Sequence, residues 1–440
     1  MTRARRAVIT GVGCASGLGL GWRAFVDGLR AGRCAVAPLT LFDASALPCS
    51  VGAETPVPLG AAEHEAWWRA GRPAVRAAAL RRLLDARALR DRKLLFAVLA
   101  AAEAWADAGL AADAEDEAGT ALCLGVGVET ALFADLAHYL DDSEPSAAPR
   151  LDWRRDPELP LPAYRARGAI EWMGDAVVDA LGLAGPVALH ASACAAGALA
   201  VAHAAAMIRR GQCRRALAGA ADSMLNPGGV GGMATLGATS PRAAPDACRP
   251  FDRRRDGIAI GEGGALFVLE DEALARARGA TILAAVVGWG STQDAHRPSA
   301  PEPSGAAAAA AMRAALARAG LAPEELGYLN AHGTGTALND VAEARAIRAV
   351  FGRHAERLPV SSIKGACGHL MAASGAIELA AALVALREGF LPGTCHLDAL
   401  DEECPIFALG PAGAATTIRY AQSNSFGFGG QNASVILEAP

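Results

Sequence analysis

Aromatic residues are scarce, at 5% of the 440 residues, and charged residues make up only 20%. The net charge is −5, which excludes a protein built on a broadly basic nucleic-acid-binding surface. No charge-free run of eighteen strongly apolar residues occurs, so no membrane span is expected; the alanine run Ala306–Ala311 is far too short. The ten cysteines are scattered and form no CxxC pair, which argues against a zinc site or a disulfide framework. Reduced thiols point to a cytoplasmic protein. Met1 to Arg6 is basic, but no leader core follows, because Ala7-Val8-Ile9-Thr10 runs straight into Gly11-Val12-Gly13. That GxG lacks its third partner: Ser16 stands where the glycine belongs, and Gly17 comes one residue late. Gly11 and Gly13 are therefore expected to allow close backbone packing at a sheet edge, not to bind a dinucleotide.

What is present is small and apolar. Hydrophobic residues reach 52%, and glycine alone supplies 49 positions. A chain of this size can hold two or three domains or one duplicated unit. Apolar runs at Ala7–Thr10, Ala121–Leu124, Val187–Leu189, Arg215–Ala220, Ala265–Leu269, Ile282–Val287, Val360–Ile363 and Ala433–Leu437 read as strands. Helical stretches alternate with them at Ala88–Ala108, Ala195–Ile208, Gly305–Ala319, Val341–Phe351 and Gly375–Glu388. Gly261 to Gly264 reads as the lead-in to a strand, and residues 141–166 read as a surface loop. The alternation predicts an α/β fold with one layered unit in each half.

The most informative stretch is Val187 to Leu199. Gly185-Pro186 opens a short strand apolar enough to be central in a sheet, a tight turn follows, and a helix apolar on nearly all sides begins near Ala195. Arg209 and Arg210 suit the negative end of that helix, and Gly211 suits its left-handed cap. Cys194 thus sits where a buried helix starts. Unpaired amides there favour a thiolate, and cysteines so placed reach pKa values of roughly 3.5–7.5. Three other clusters fall at strand ends: His332 within Asn330-Ala331-His332-Gly333-Thr334-Gly335-Thr336, Lys364 and His369 within Lys364-Gly365-Ala366-Cys367-Gly368-His369, and the glycine turn around Phe426 and Phe428. A nucleophilic sulfur, two imidazoles and an amide in a tight turn are what acyl-thioester chemistry requires. Residues 60–95 add an arginine-rich run that can serve as a solvated face or as a dock for an acidic partner.

These motifs, with Arg249-Pro250-Phe251-Asp252, Arg255-Asp256-Gly257 and Asn424 to Gly430, resemble in content and order the type II β-ketoacyl-acyl-carrier-protein synthases. The resemblance implies the thiolase fold, two similar halves in five layers α/β/α/β/α: residues 1–270 with the nucleophilic Cys194, and residues 271–440 with His332 and His369. It implies that Cys194 takes an acyl group from an acyl carrier protein. His332 and His369 then hold the malonyl thioester carbonyl during decarboxylation, and the carbanion attacks the acyl-cysteine. Lys364 and Glu343 would orient the histidines, and the amides of Cys194 and Phe428 would form the oxyanion hole, with the Phe428 ring as a gate. Val128, Ile258, Thr334, Thr336, Phe426 and Asn432 would line the substrate path, Val128 at its distal end. Arg87, Arg90 and Lys93 are expected to dock the carrier. The resemblance implies no metal or other cofactor, and a homodimer or a heterodimer with a chain-length factor.

Several positions depart from the family pattern. Ser192 and Cys367 stand where threonine is common, Ile258 where an aromatic is frequent, and Gln431 where a small residue is usual. These changes touch the pocket more than the reactive set, and point towards a specialised polyketide or polyene pathway. A non-catalytic chain-length factor is disfavoured because Cys194, His332 and His369 are all present. A degradative thiolase would need a second cysteine in the C-terminal glycine turn, where Phe426 and Phe428 stand instead. A pure interaction protein would leave the ordered motifs unexplained.

Overall fold

The computed structural model describes residues 5–57, 91–111, 119–127, 140–141, 150–151 and 170–440. Ten strands form its frame: β1 (Ala7–Ser16), β2 (Ala121–Gly125), β3 (Val187–His190), β4 (Arg215–Ser223), β5 (Ile260–Asp271), β6 (Ala284–Gln293), β7 (Tyr328–Asn330), β8 (Val360–Ser361), β9 (Tyr420–Gly427) and β10 (Gln431–Glu438). Six helices pack on them: α1 (Arg92–Asp107), α2 (Glu171–Leu181), α3 (Ala196–Arg210), α4 (Ala306–Ala319), α5 (Ala337–Phe351) and α6 (Ser374–Arg387).

The strand order is β3-β2-β4-β5-β1, continuing as β6-β10-β9-β7-β8. Counted outward from the middle, each half therefore runs first, fifth, fourth, second, third. Directions repeat as well. In each half the second strand is parallel to the third and fourth, and the fifth is antiparallel to the fourth and the first. The two runs meet where Ala7–Ile9 pairs antiparallel with Ala284–Val286. The same connectivity used twice is a duplication that no short sequence repeat announces.

Apolar burial sets the layers. Leu94, Val98, Met173 and Val177 of α1 and α2 pack with Leu122, Leu217 and Leu266 on the outer face of the first run. Met312, Leu316 and Ile347 of α4 and α5 pack with Leu329 and Ile436 on the outer face of the second. Between the runs lie α3 and α6, whose alanines share one cluster with both sheets. The result is the five-layered thiolase arrangement. At the centre, a Cβ on Gly197 would lie 2.7 Å from the Ala376 nitrogen, and one on Gly375 the same distance from the Ala198 nitrogen. The two middle helices thus cross at backbone contact, which only glycine permits.

A short 3₁₀ turn leads into each central helix, Ala193–Ala195 before α3 and Met371–Ala373 before α6. Both open on a non-glycine residue in the left-handed region, Ala193 at φ 46° and Met371 at φ 49°. Such backbone costs about 1–3 kcal/mol and persists only where its surroundings hold it.

Some expectations are corrected. Gly11 and Gly13 do allow close packing: their Cβ atoms would fall 2.1 Å from the carbonyls of Ala104 and Ala100. But β1 is not an edge, because β5 and β6 flank it in the middle of the sheet. Gly261 to Gly264 lie inside β5 and do not precede it. Within the loop read at 141–166, Leu140–Asp141 pairs antiparallel with Arg150–Leu151, and residues 142–149 and 152–169 lie outside the described residues. Lys93 is not a surface cation. Its side chain is 6% exposed and pairs at 3.2 Å with Asp91, because it sits on the covered first turn of α1. Arg87, Arg90 and Val128 lie outside the described residues.

Candidate active site

β3 ends at His190, the strained turn places Cys194 second of three residues, and α3 begins at Ala196. β7 ends at Asn330 and releases the His332 loop. Lys364 and His369 follow β8, and Phe428 follows β9. All these strand ends converge. Cys194, His332, His369, Phe426 and Phe428 line one cavity of about 390 Å³, which is more apolar than polar. Ile258, Thr334, Thr336, Glu343 and Asn432 line it too. The Thr334 and Thr336 hydroxyls are 2.8 Å apart, and the Asn432 amide donates to Asp294 at 2.6 Å.

The two imidazole rings lie edge to face, centroids 5.5 Å apart. Their tautomers follow from their partners. Lys364 Nζ donates to His332 Nδ1 at 3.2 Å, and also to the His332 carbonyl and the Glu378 carboxylate. All three ammonium protons are thereby used. His369 Nδ1 accepts the Met371 amide at 2.9 Å and lies 3.0 Å from the Ser374 hydroxyl. With both Nδ1 atoms accepting, each ring carries its proton on Nε2. Burial pushes both histidines well below 6.5, and the Lys364 charge pushes them further. Near pH 7 the rings are neutral hydrogen-bond donors.

Glu343 holds the His332 loop by its backbone. Its oxygens accept the amides of His332 at 2.9 Å and Gly333 at 2.7 Å, and Asn424 donates to it at 3.2 Å. Burial raises this carboxyl to about 7, against the pull of those donors.

The sulfur differs from expectation. Burial raises the Cys194 thiol from 9.0 to about 12; Lys364 and the Phe428 amide pull it down, while Glu378 and Asp222 push it up. A helix start contributes at most about 2 kcal/mol, about one and a half pH units, which does not cancel that rise. Burial of this residue, 6% exposed, therefore favours the neutral thiol over the thiolate. Gly427 is placed where a Cβ would come 3.1 Å from the Cys194 nitrogen, so the turn after β9 lies directly against the nucleophile. The Phe428 amide hydrogen-bonds to the Cys194 sulfur and favours its charged form.

Residues 4–275 match the family described as beta-ketoacyl synthase, N-terminal domain, and residues 283–398 its C-terminal domain. The chain belongs to the beta-ketoacyl synthase family. It is thus a condensing enzyme of the acyltransferase type. It is 34% identical to 3-oxoacyl-[acyl-carrier-protein] synthase 2 of Coxiella burnetii, over 98% of both chains. It is 35% identical to a putative polyketide beta-ketoacyl synthase 1 of Streptomyces halstedii, over 99% of this chain and 98% of that one. Among solved structures, the ishigamide ketosynthase/chain length factor matches all of both chains with a TM-score of 0.82 and 32% identity.

Three groups around this synthase site escape sequence reading. Glu378, 1% exposed, pairs with Lys364. Ser374 contacts His369, and Asp222, 2% exposed, accepts the Ala372 amide at 2.9 Å. One signal was available for the first: a lone carboxylate inside the apolar run Gly375–Ala385 has to be paired.

Proposed function

We propose that this synthase performs a decarboxylative condensation of carrier-bound thioesters. The Cys194 sulfur attacks an acyl-carrier thioester, its proton leaves with the carrier thiol, and an acyl-cysteine forms. The Nε2–H groups of His332 and His369 then hold the thioester carbonyl oxygen of a malonyl carrier. Carbon dioxide departs, and the electron pair is held as an enolate. Its carbon attacks the acyl carbonyl, whose oxyanion lies on the amides of Cys194 and Phe428. The carbon–carbon bond forms, the carbon–sulfur bond breaks, the released Cys194 thiolate takes a proton from water, and the product is a β-ketoacyl carrier. Lys364 fixes the His332 tautomer, and Glu343 fixes its loop.

The observation that carries this reading is the pair of neutral rings with both Nδ1 atoms occupied, sharing one cavity with a buried sulfur. Donors aimed at a developing enolate are each worth about 2.7–4 kcal/mol. Ile258, Thr334, Thr336, Phe426 and Asn432 lie along the path of the thioester arm and acyl chain. The test is trapping: acyl carriers add one acyl mass at Cys194, and malonyl carrier then releases carbon dioxide. No mass on Cys194 with any carrier would overturn the reading.

We assign the halves to residues 1–270 and 271–440, and place the protein in the cytoplasm, in keeping with ten free thiols. No helix among the described residues is long and apolar enough to cross a membrane. The synthase works as a homodimer or, as the name of the ishigamide protein supports, beside a chain-length factor. Mass measurement of the native oligomer decides between them. Preference for saturated medium chains would count against a specialised pathway.

A further inference from the structure

Asp222 has no part in the steps above, yet it is hydrogen-bonded to the turn that follows His369. It stands near the end of β4, in the first half of the chain, and is 2% exposed. One oxygen accepts the Ser223 amide at 2.8 Å, and the other accepts the Ala372 amide at 2.9 Å. Ala372 is the middle residue of the 3₁₀ turn Met371–Ala373, in the second half of the chain. The first residue of that turn, Met371, is held at φ 49°, and its amide is a donor that fixes His369 Nδ1. The links therefore run from β4 through one carboxylate to the turn, and from the turn to the ring.

We propose that Asp222 is a positioning residue of the condensation: it clamps the Met371–Ala373 turn, and through the Met371 amide it aims the Nε2–H of His369 at the enolate. This rests on the function proposed above. A non-glycine residue at positive φ relaxes unless its neighbours hold it. Hydrogen bonds to ionised acceptors are roughly twice as strong as neutral ones, so the clamp is best when Asp222 is charged. Burial raises Asp222 to about 6, and the main opposing influence is the Lys93 ammonium, ahead of the Ala372 and Ser223 amides. Among the described residues, the next charge that acts on Asp222 is Asp91, which pairs with Lys93. A lysine that reads as part of a basic surface run is in this reading the counter-charge that keeps the clamp ionised near pH 7.

The clamp serves one half-reaction only, because His369 acts on the malonyl unit and not on the incoming acyl thioester. Asp222→Asn is therefore expected to acylate Cys194 at least as fast as wild type, since a charge that raises the thiol is gone. Its malonyl-dependent carbon dioxide release should fall about thirtyfold or more, with KM for the malonyl carrier within about threefold. Equal losses in both half-reactions, or none, overturn the proposal. Lys93→Met gives a second reading that does not depend on Asp222→Asn folding. Carbon dioxide release should weaken on the acid side, with its acid limb moved to higher pH, because Asp222 loses the cation that keeps it ionised. An unmoved limb overturns the proposal. Wild type is the control for the parent reading: if it neither acylates nor decarboxylates, the function fails, whereas if it does both and the variants do not split, only the clamp fails.

Discussion

Replacing Lys364 by Met removes one charge from three partners at once. His332 Nδ1 loses the donor that holds the ring proton on Nε2, and the His332 carbonyl loses its contact. Glu378, 1% exposed, is left without its cation. Breaking a buried pair from one side typically costs about 3–5 kcal/mol of stability, so a lower unfolding midpoint is expected. Losing one enolate donor costs about 2.7–4 kcal/mol of barrier, a drop of about 10²–10³ in carbon dioxide release. Acylation of Cys194 should also slow, because Lys364 is the chief charge pulling that thiol down. The pH profile adds a sign. In the wild type, burial and then Lys364 keep His332 well below 6.5. Without Lys364 the ring gains protons at higher pH than before, so carbon dioxide release should fall earlier on acidification. The assay is single-turnover release from malonyl carrier on enzyme already acylated, between pH 5.5 and 8. Release within threefold of wild type, with an unchanged acid limb, would refute the claim that Nζ sets the ring.

Three other outcomes are expected. Alkylation of Cys194 by a neutral reagent should keep accelerating as pH rises past 9, since burial holds the thiol at about 12; a plateau below pH 8 would mean a resting thiolate. Phe428→Ala keeps the backbone donor and should preserve acyl transfer while changing which chains enter, whereas Phe428→Pro removes the N–H and should lower kcat about 10²–10³-fold; equal behaviour of the two would remove that amide from the oxyanion hole. Glu343 is raised from 4.5 to about 7, so its contribution is full below pH 4.5 and is lost as pH rises through about 7. Glu343→Gln lacks that loss, so chemical denaturation should show its deficit against wild type shrinking by about 3 kcal/mol between pH 4.5 and 8; a constant deficit would sink the assignment.

Much of the frame was legible because apolar runs and glycine stops carry it. The strand before Cys194, the helix ending at Arg209 and Arg210, and the Gly211 cap at φ 73° stand where the residues imply. The order of strands was not legible, since pairing in a sheet depends on contacts far apart in the chain; that is why β1 read as an edge and β3, which pairs only with β2 at the end of the sheet and leaves Val187 half exposed, read as central. Charge misled at Lys93, where a cation in an arginine-rich run turned out to face inward. It misled at Cys194 too, because a helix start is visible in sequence while the depth of burial is not. Glu378 and Asp222 stayed hidden because each is the one carboxylate in a largely apolar element, with a partner in another segment.

The matching turns before α3 and α6 make Ala372 the counterpart of Cys194. One copy of the turn presents sulfur. The other presents a methyl group, and the amide of that same residue is gripped from across the duplication by Asp222. A backbone that is twofold in outline therefore carries a thiol at only one of its two matching turns. Neither half owns the reaction: the first contributes what is acylated, and the second contributes the rings that act on the extender unit.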